Sequence, residues 1–209
     1  MEQEILTPLL DAFDLLGVAV FALSGALIAA REKQTFVTMA FFALITGVGG
    51  GTIRDMVIGI PAFWVHDKWI AAVCLITALL VWFTPDRLWQ GKLLDWADGI
   101  GLSAYAVLGS AKALAFGVPP VPAILLGIVT GTAGGIIRDV IAGVPSILMR
   151  PELYVTAAAL AAGLCVAGME LDLPRPLVWT GAATAGFILR GAAIQFGLKL
   201  PAYKLTREG

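Results

Sequence analysis

The stretch Gly47-Val48-Gly49-Gly50-Gly51-Thr52-Ile53-Arg54-Asp55 returns 84 residues later as Gly131-Thr132-Ala133-Gly134-Gly135-Ile136-Ile137-Arg138-Asp139. The same offset, without a gap, pairs Gly59 with Gly143 and Pro61 with Pro145. Upstream it pairs Asp14 with Asp98, Gly17 with Gly101 and Gly25 with Gly109. Matches of Gly, Pro, Arg and Asp in one register identify an internal repeat. The matched residues are glycine and charged, not lipid-seeking Leu and Val. That favours a functional repeat over the mere relic of a duplication.

Both copies lie inside long apolar runs. Of the 209 residues, 59% are hydrophobic and 14% charged, with mean hydropathy +0.89. Soluble domains carry roughly 45–50% apolar and about 25% charged residues, so the solvent here is lipid. Spanning a hydrocarbon core of ~30 Å takes about 20 helical residues. Such runs occupy 8–30, 36–60, 69–84, 98–116, 121–145, 153–170 and 176–197. Short polar or proline-bearing connectors separate them. A β-barrel, the other spanning architecture, requires alternating strands, and none is visible.

The predicted fold is therefore an all-α integral membrane domain over 1–209, with seven transmembrane helices. Repeat one covers about 8–84 and repeat two about 98–170, and helix seven (176–197) lies outside the repeat. Three spans per copy is odd, so the second copy enters from the opposite face, which makes the repeats inverted. The basic connectors set the orientation. With the N-terminus outside, the cytoplasmic face receives Arg31, Lys33, Arg87, Lys92, Arg150, Lys199, Lys204 and Arg207. The outer face receives only Lys68 and Arg175, so the expected topology is N-out/C-in. Trp64, Trp69, Trp89, Trp96 and Trp179 stand near span ends, as interfacial aromatics do. The N-terminus has no basic region of the kind that opens a signal peptide, so none is expected.

The chemistry concentrates at the repeat. At ~1.5 Å per residue, Gly47 to Gly51 sit about 16–22 Å into span two, near the midplane. Each Gly weakens a helix by ~1 kcal/mol against Ala. Several together predict a kink or local unwinding in spans two and five, and such breaks must face protein or a water-filled cavity. Close small-xxx-small packing through Gly47-xxx-Gly51 and Gly131-xxx-Gly135 is the competing reading. Gly49, Gly50, Gly134 and the neighbouring hydroxyls Thr46, Thr130 and Ser24 complete the candidate pore lining.

Arg54-Asp55 and Arg138-Asp139 follow the glycines. Charges in a span cost at least ~2.5–3.5 kcal/mol, so they should face inward and pair. They form either two charged constrictions or salt bridges that tie the helices together. Lys112 and Arg190 also lie within spans but have no repeat partner; Lys112 aligns with Ile28. They are candidates for voltage sensing, with snorkelling to the interface as the blander expectation. Asp14 and Asp98 are possible partners for these cations, or polar ends.

Other chemistries find little support. Gly47, Gly49 and Gly51 resemble part of a dinucleotide fingerprint, but they lie in a span rather than after a strand. His66 is the sole histidine. Cys74 and Cys165 have no metal-ligand spacing and are expected to be small buried residues. The net charge of −1 offers no footprint for nucleic acid. No nucleophile–base set suggests an enzyme, and no cofactor or bound metal is expected.

With Gly50-Gly51-Thr52-Ile53-Arg54-Asp55, Gly134-Gly135-Ile136-Ile137-Arg138-Asp139, Gly59-Ile60-Pro61 and Gly143-Val144-Pro145, the chain resembles the trimeric intracellular cation channel (TRIC) family, in its prokaryotic branch. The resemblance runs over essentially the whole chain, helix seven included. It implies a homotrimer in the prokaryotic inner membrane, embedded among lipids, with a pore in each protomer lined by kinked helices two and five. It also implies a monovalent permeant ion, chiefly K⁺, with Na⁺ second. Animal members carry a Lys-Glu-Val stretch near the first kink, whereas this chain has no Lys or Glu between Phe36 and Ile53. From the residues alone, a secondary transporter of a small neutral solute, such as a small amino acid, fits the inverted repeat equally well.

Overall fold

The computed structural model describes residues 2–85, 87 and 91–201, with side chains from 14 onward. Trp89, Lys204 and Arg207 lie outside the described residues. Seven α-helices appear among the described residues. They are α1 (Glu2–Arg31), α2 (Phe36–Val57), α3 (Lys68–Phe83), α4 (Leu93–Ala115), α5 (Pro120–Ala142), α6 (Val155–Glu170) and α7 (Arg175–Phe196). Their ends follow local chemistry. Thr35 caps α2 by accepting from the Thr38 amide, and Asp67 caps α3 by accepting from that of Trp69. Prolines open α5 and α7, and left-handed Gly143 and Gly197 close them.

Within α1 the stretch Asp14–Arg31, and the whole of α2, α5 and α7, are long and apolar enough to cross a bilayer. α4 has comparable length but carries Asp95, Asp98 and Lys112. α3 and α6 have 16 residues each, about 24 Å at ~1.5 Å per residue. The bundle buries charged side chains within an apolar interior and carries large apolar ones on its outside. Arg54, Arg138 and Arg190 are at most 1% exposed, while Leu80 and Ile188 are 62% and 64% exposed. Cys74 and Cys165 are buried free thiols.

The two repeats interlock by reciprocal contacts. A Cβ on Gly50 would lie 2.0 Å from the carbonyl oxygen of Thr130, and one on Gly134 would lie 2.5 Å from that of Thr46. Each contact is the other displaced by 84 residues with the partners exchanged. Gly17 meets the Tyr105 ring and Gly101 meets the Phe21 ring in the same way. Phe21 and Tyr105, themselves repeat mates, touch edge to face with centroids 5.2 Å apart. Exchange of this kind is the mark of a two-fold relation.

This geometry corrects the expectation for the glycines. α2 and α5 run as unbroken helices through Gly47–Gly51 and Gly131–Gly135, without local unwinding. The missing side chains let two backbones cross at contact distance, as the packing reading expects. The neighbouring helix meets the faces of Gly50, Gly131 and Gly134.

Candidate functional site

Two half-sites flank the α2–α5 crossing, each built by the Arg-Asp pair that follows the glycines. In the first, Arg54 Nε donates to Asp55 Oδ1 at 2.8 Å, and Arg54 Nη1 stands 4.0 Å from Asp14 Oδ1 on α1. In the second, Arg138 Nε donates to Asp139 Oδ1 at 2.9 Å, and Nη1 donates to Asp98 Oδ1 on α4 at 2.7 Å. Asp14 and Asp98, Arg54 and Arg138, and Asp55 and Asp139 are all repeat mates. Each half thus holds an Asp-Arg-Asp set of repeat mates that joins two helices.

The second carboxylate oxygens organise the chain beyond each helix. Asp55 Oδ2 accepts from the Phe63 amide at 2.8 Å, and Asp139 Oδ2 accepts from the Ile147 amide at 2.8 Å. Those amides open the 3₁₀ turns Phe63–Val65 and Ile147–Met149, again 84 residues apart. One aspartate in each repeat therefore neutralises an arginine and folds the following turn back onto the bundle. Phe63 lies under both cations of its half-site, 5.6 Å from the Arg54 guanidinium and 5.8 Å from the Lys112 ammonium.

Lys112 and Arg190 are both paired, but not with Asp14 or Asp98. Lys112 Nζ lies 3.1 Å from Asp55 Oδ1, and Arg190 Nη1 donates to Glu152 Oε2 at 2.8 Å. Lys112 sits in the last turn of α4 with its side chain 18% exposed, whereas Arg190 is fully buried over the Tyr154 ring. Lys112 turns toward Asp55, and Arg190 toward Glu152. Asp14 and Asp98 serve the repeat arginines instead.

The candidate hydroxyls divide. Ser24 accepts from Arg138 Nη1 at 2.6 Å, which ties α1 of repeat one to α5 of repeat two. Thr130 donates its hydroxyl back to the Leu126 carbonyl at 2.6 Å, leaving its own carbonyl to face Gly50. Thr46 places its carbonyl against Gly134, and its buried hydroxyl lies next to Gly25. Tyr154 and Glu152 join the second half-site although the sequence reading passed over them. The signal for Glu152 was present: a buried Arg190 requires a counter-charge.

Inverted helix triples with paired charges inside and apolar residues outside define a multi-pass membrane protein of the transport type. A family model described as glycine transporter matches the chain twice, over residues 11–86 and 95–170. The two matches begin 84 residues apart, in the register of the repeated motif. A UPF0126 membrane protein of Vibrio cholerae is 36% identical over 99% of this chain and 87% of its own length. The inner membrane protein YadS of Escherichia coli is 34% identical over 94% of this chain and 97% of its own. Among solved structures, the TRIC channel orthologue of Rhodobacter sphaeroides shares 37% identity, with TM-score 0.84 over 91% of this chain and 99% of that one. A second prokaryotic TRIC channel superposes with TM-score 0.85 over 93% and 100%, at 24% identity, and so speaks for the fold alone. The chain belongs to the glycine transporter family of that model and is a prokaryotic member of the TRIC family, residing in the bacterial inner membrane.

Proposed function

We propose that this protein is a monovalent cation channel, conducting K⁺ and secondarily Na⁺ without a cofactor. The working unit is a homotrimer with a pore in each protomer, and all seven helices span the membrane N-out/C-in. The observation that carries the reading is the reciprocal α2–α5 crossing, with a charged half-site on either side, in a chain 37% identical to a solved cation channel orthologue. In this reading the α2–α5 crossing is the gate, and the close approach of Gly50 and Gly134 to a carbonyl of the opposite helix is what closes it. Separation of α2 from α5 opens the path and exposes the Thr46 and Thr130 carbonyls to it. Carbonyl dipoles of that kind replace part of a cation's hydration shell.

A second reading is favoured by the description of the matching family model: a carrier of glycine or a similarly small neutral solute. There the same crossing opens to one face at a time, as alternating access requires. Purified protein in a planar bilayer under asymmetric KCl separates the two. Discrete current steps that reverse toward the K⁺ equilibrium potential are the expected result. Electrical silence together with saturable glycine uptake into proteoliposomes rejects the channel and establishes the carrier.

A further inference from the structure

Each half-site is covered by an aromatic side chain, and the two are not repeat mates. In the first half the Phe63 ring lies on Gly51: a Cβ there would stand 2.5 Å from Phe63 Cε1. In the second half Tyr154 lies on Gly135, the repeat mate of Gly51: a Cβ there would stand 2.8 Å from the Tyr154 oxygen. Yet Phe63 aligns with Ile147, and Tyr154 with Ile70.

Each ring in turn lies beneath a cation without a repeat mate. The Lys112 ammonium is 5.8 Å from the Phe63 centroid, and the Arg190 guanidinium 5.3 Å from that of Tyr154. Each cation is held by an acid: Lys112 by Asp55 at 3.1 Å and Arg190 by Glu152 at 2.8 Å. Where the repeat is broken, the two halves therefore converge on one arrangement: a bare glycine, a ring on it, a cation on the ring and an acid on the cation. The second half draws its cation from α7, the helix outside the repeat.

The covers lie at opposite ends of the bundle. Asp98 of the second half-site and Lys112 of the first stand on one helix, about 21 Å apart at ~1.5 Å per residue. The α2–α5 crossing lies between them. A ring on a glycine fills the space that any other side chain would take, so turning the ring away opens that space.

We propose that Phe63 and Tyr154 are two lids that close the path through the α2–α5 crossing at its opposite ends. Lys112 holds down the first, and Arg190 of α7 holds down the second. The inference rests on the crossing being the permeation path, and it applies to a channel or a carrier.

Sided chemical labelling tests it without any transport assay. Cys74 and Cys165 are first replaced by alanine. The reporters are Ser24→Cys, at the residue that accepts from Arg138 in the second half-site, and Leu108→Cys, at its repeat mate; both positions are buried. Membrane vesicles of either orientation are treated with a charged, membrane-impermeant methanethiosulfonate. Tyr154→Ala speeds modification of the Ser24→Cys reporter by about tenfold or more, as a local opening does. Phe63→Ala does the same for Leu108→Cys. Each acts from one face only, and the two faces are opposite. Arg190→Met, which leaves the ring but removes the cation above it, acts in the same direction as Tyr154→Ala and more weakly. Gly51→Ala and Gly135→Ala displace the rings without removing them and give the same pattern; they carry the test if Phe63→Ala or Tyr154→Ala does not fold. Unchanged rates in the folded lid variants overturn the proposal. So does acceleration from both faces, or of both reporters by one variant, which is the mark of general loosening. Labelling decides the lids, and the current and uptake measurements above decide the path.

Discussion

Replacing Arg138 by methionine is expected to destabilise the protein by about 3–5 kcal/mol, the cost of stripping one partner from a buried ion pair. Arg138 is 1% exposed and donates to three groups on three helices: Asp139 on α5, Asp98 on α4 and Ser24 on α1. Without it, two carboxylates remain buried and close together with no counter-charge. The Asp139 side chain also loses the orientation that holds the Ile147 amide, so the turn before α6 loosens as well. Arg150→Met provides the scale. Its guanidinium is 45% exposed and 3.7 Å from Asp95, a pair of the kind worth about 0–1 kcal/mol. Equilibrium unfolding in mild detergent measures both. Comparable losses for the two variants would show that the interior arginine is not the tie described here.

Gly50→Ala is expected to be the most disruptive single methyl group in the chain. Its Cβ would fall 2.0 Å from the Thr130 carbonyl oxygen and 3.0 Å from the carbonyl carbon. Backbone lies on both sides of the contact, so no side chain can rotate away and α2 and α5 must separate. Overpacking of this sort costs about 1–3 kcal/mol, and it also disturbs the reciprocal contact of Gly134 with Thr46. Gly163→Ala, in α6, is the matched control: nothing lies within 4 Å of its added methyl group. That substitution should stabilise the helix by up to ~1 kcal/mol. The larger Gly50→Leu and Gly134→Leu should abolish transport, because the isobutyl group fills the very gap that it forces between α2 and α5. Transport at wild-type rate in either leucine variant would remove the crossing from the permeation path.

The helices were legible because each apolar run is bounded by charge, proline or a capping residue. Predicted ends such as 69–84 and 176–197 fall within a residue of those of α3 and α7. The repeat was legible because Gly, Arg and Asp are costly in a span and seldom recur by chance. The sign of the glycine effect was not. A run such as Gly49-Gly50-Gly51 weakens a helix and equally permits a close neighbour, and only the neighbour's position decides between them. The pairing of Lys112 with Asp55, and of Arg190 with Glu152, was hidden for a related reason. Each joins elements distant in sequence, and for Lys112 the partner lies in the other repeat. Glu152 also read as an ordinary connector residue between Arg150-Pro151 and α6.

Residues 197–201, just after α7, fold back onto the connector before α6. Glu152 and Lys199 form an isolated antiparallel bridge, and the Leu200 amide donates to the Pro151 carbonyl at 2.7 Å. Arg190 grips Glu152 from within, and Lys92 Nζ donates to the Ile194 carbonyl at 2.6 Å. The repeat mate of Glu152 is Lys68, an exposed residue at the start of α3 that lies over the adjacent Trp69 ring. Backbone hydrogen exchange should accordingly be slower across 151–155 than across 67–71, and equal rates would contradict the inference. Slower exchange there would mean that two halves built on one blueprint differ in stiffness, with α7 and the segment after it bracing the second.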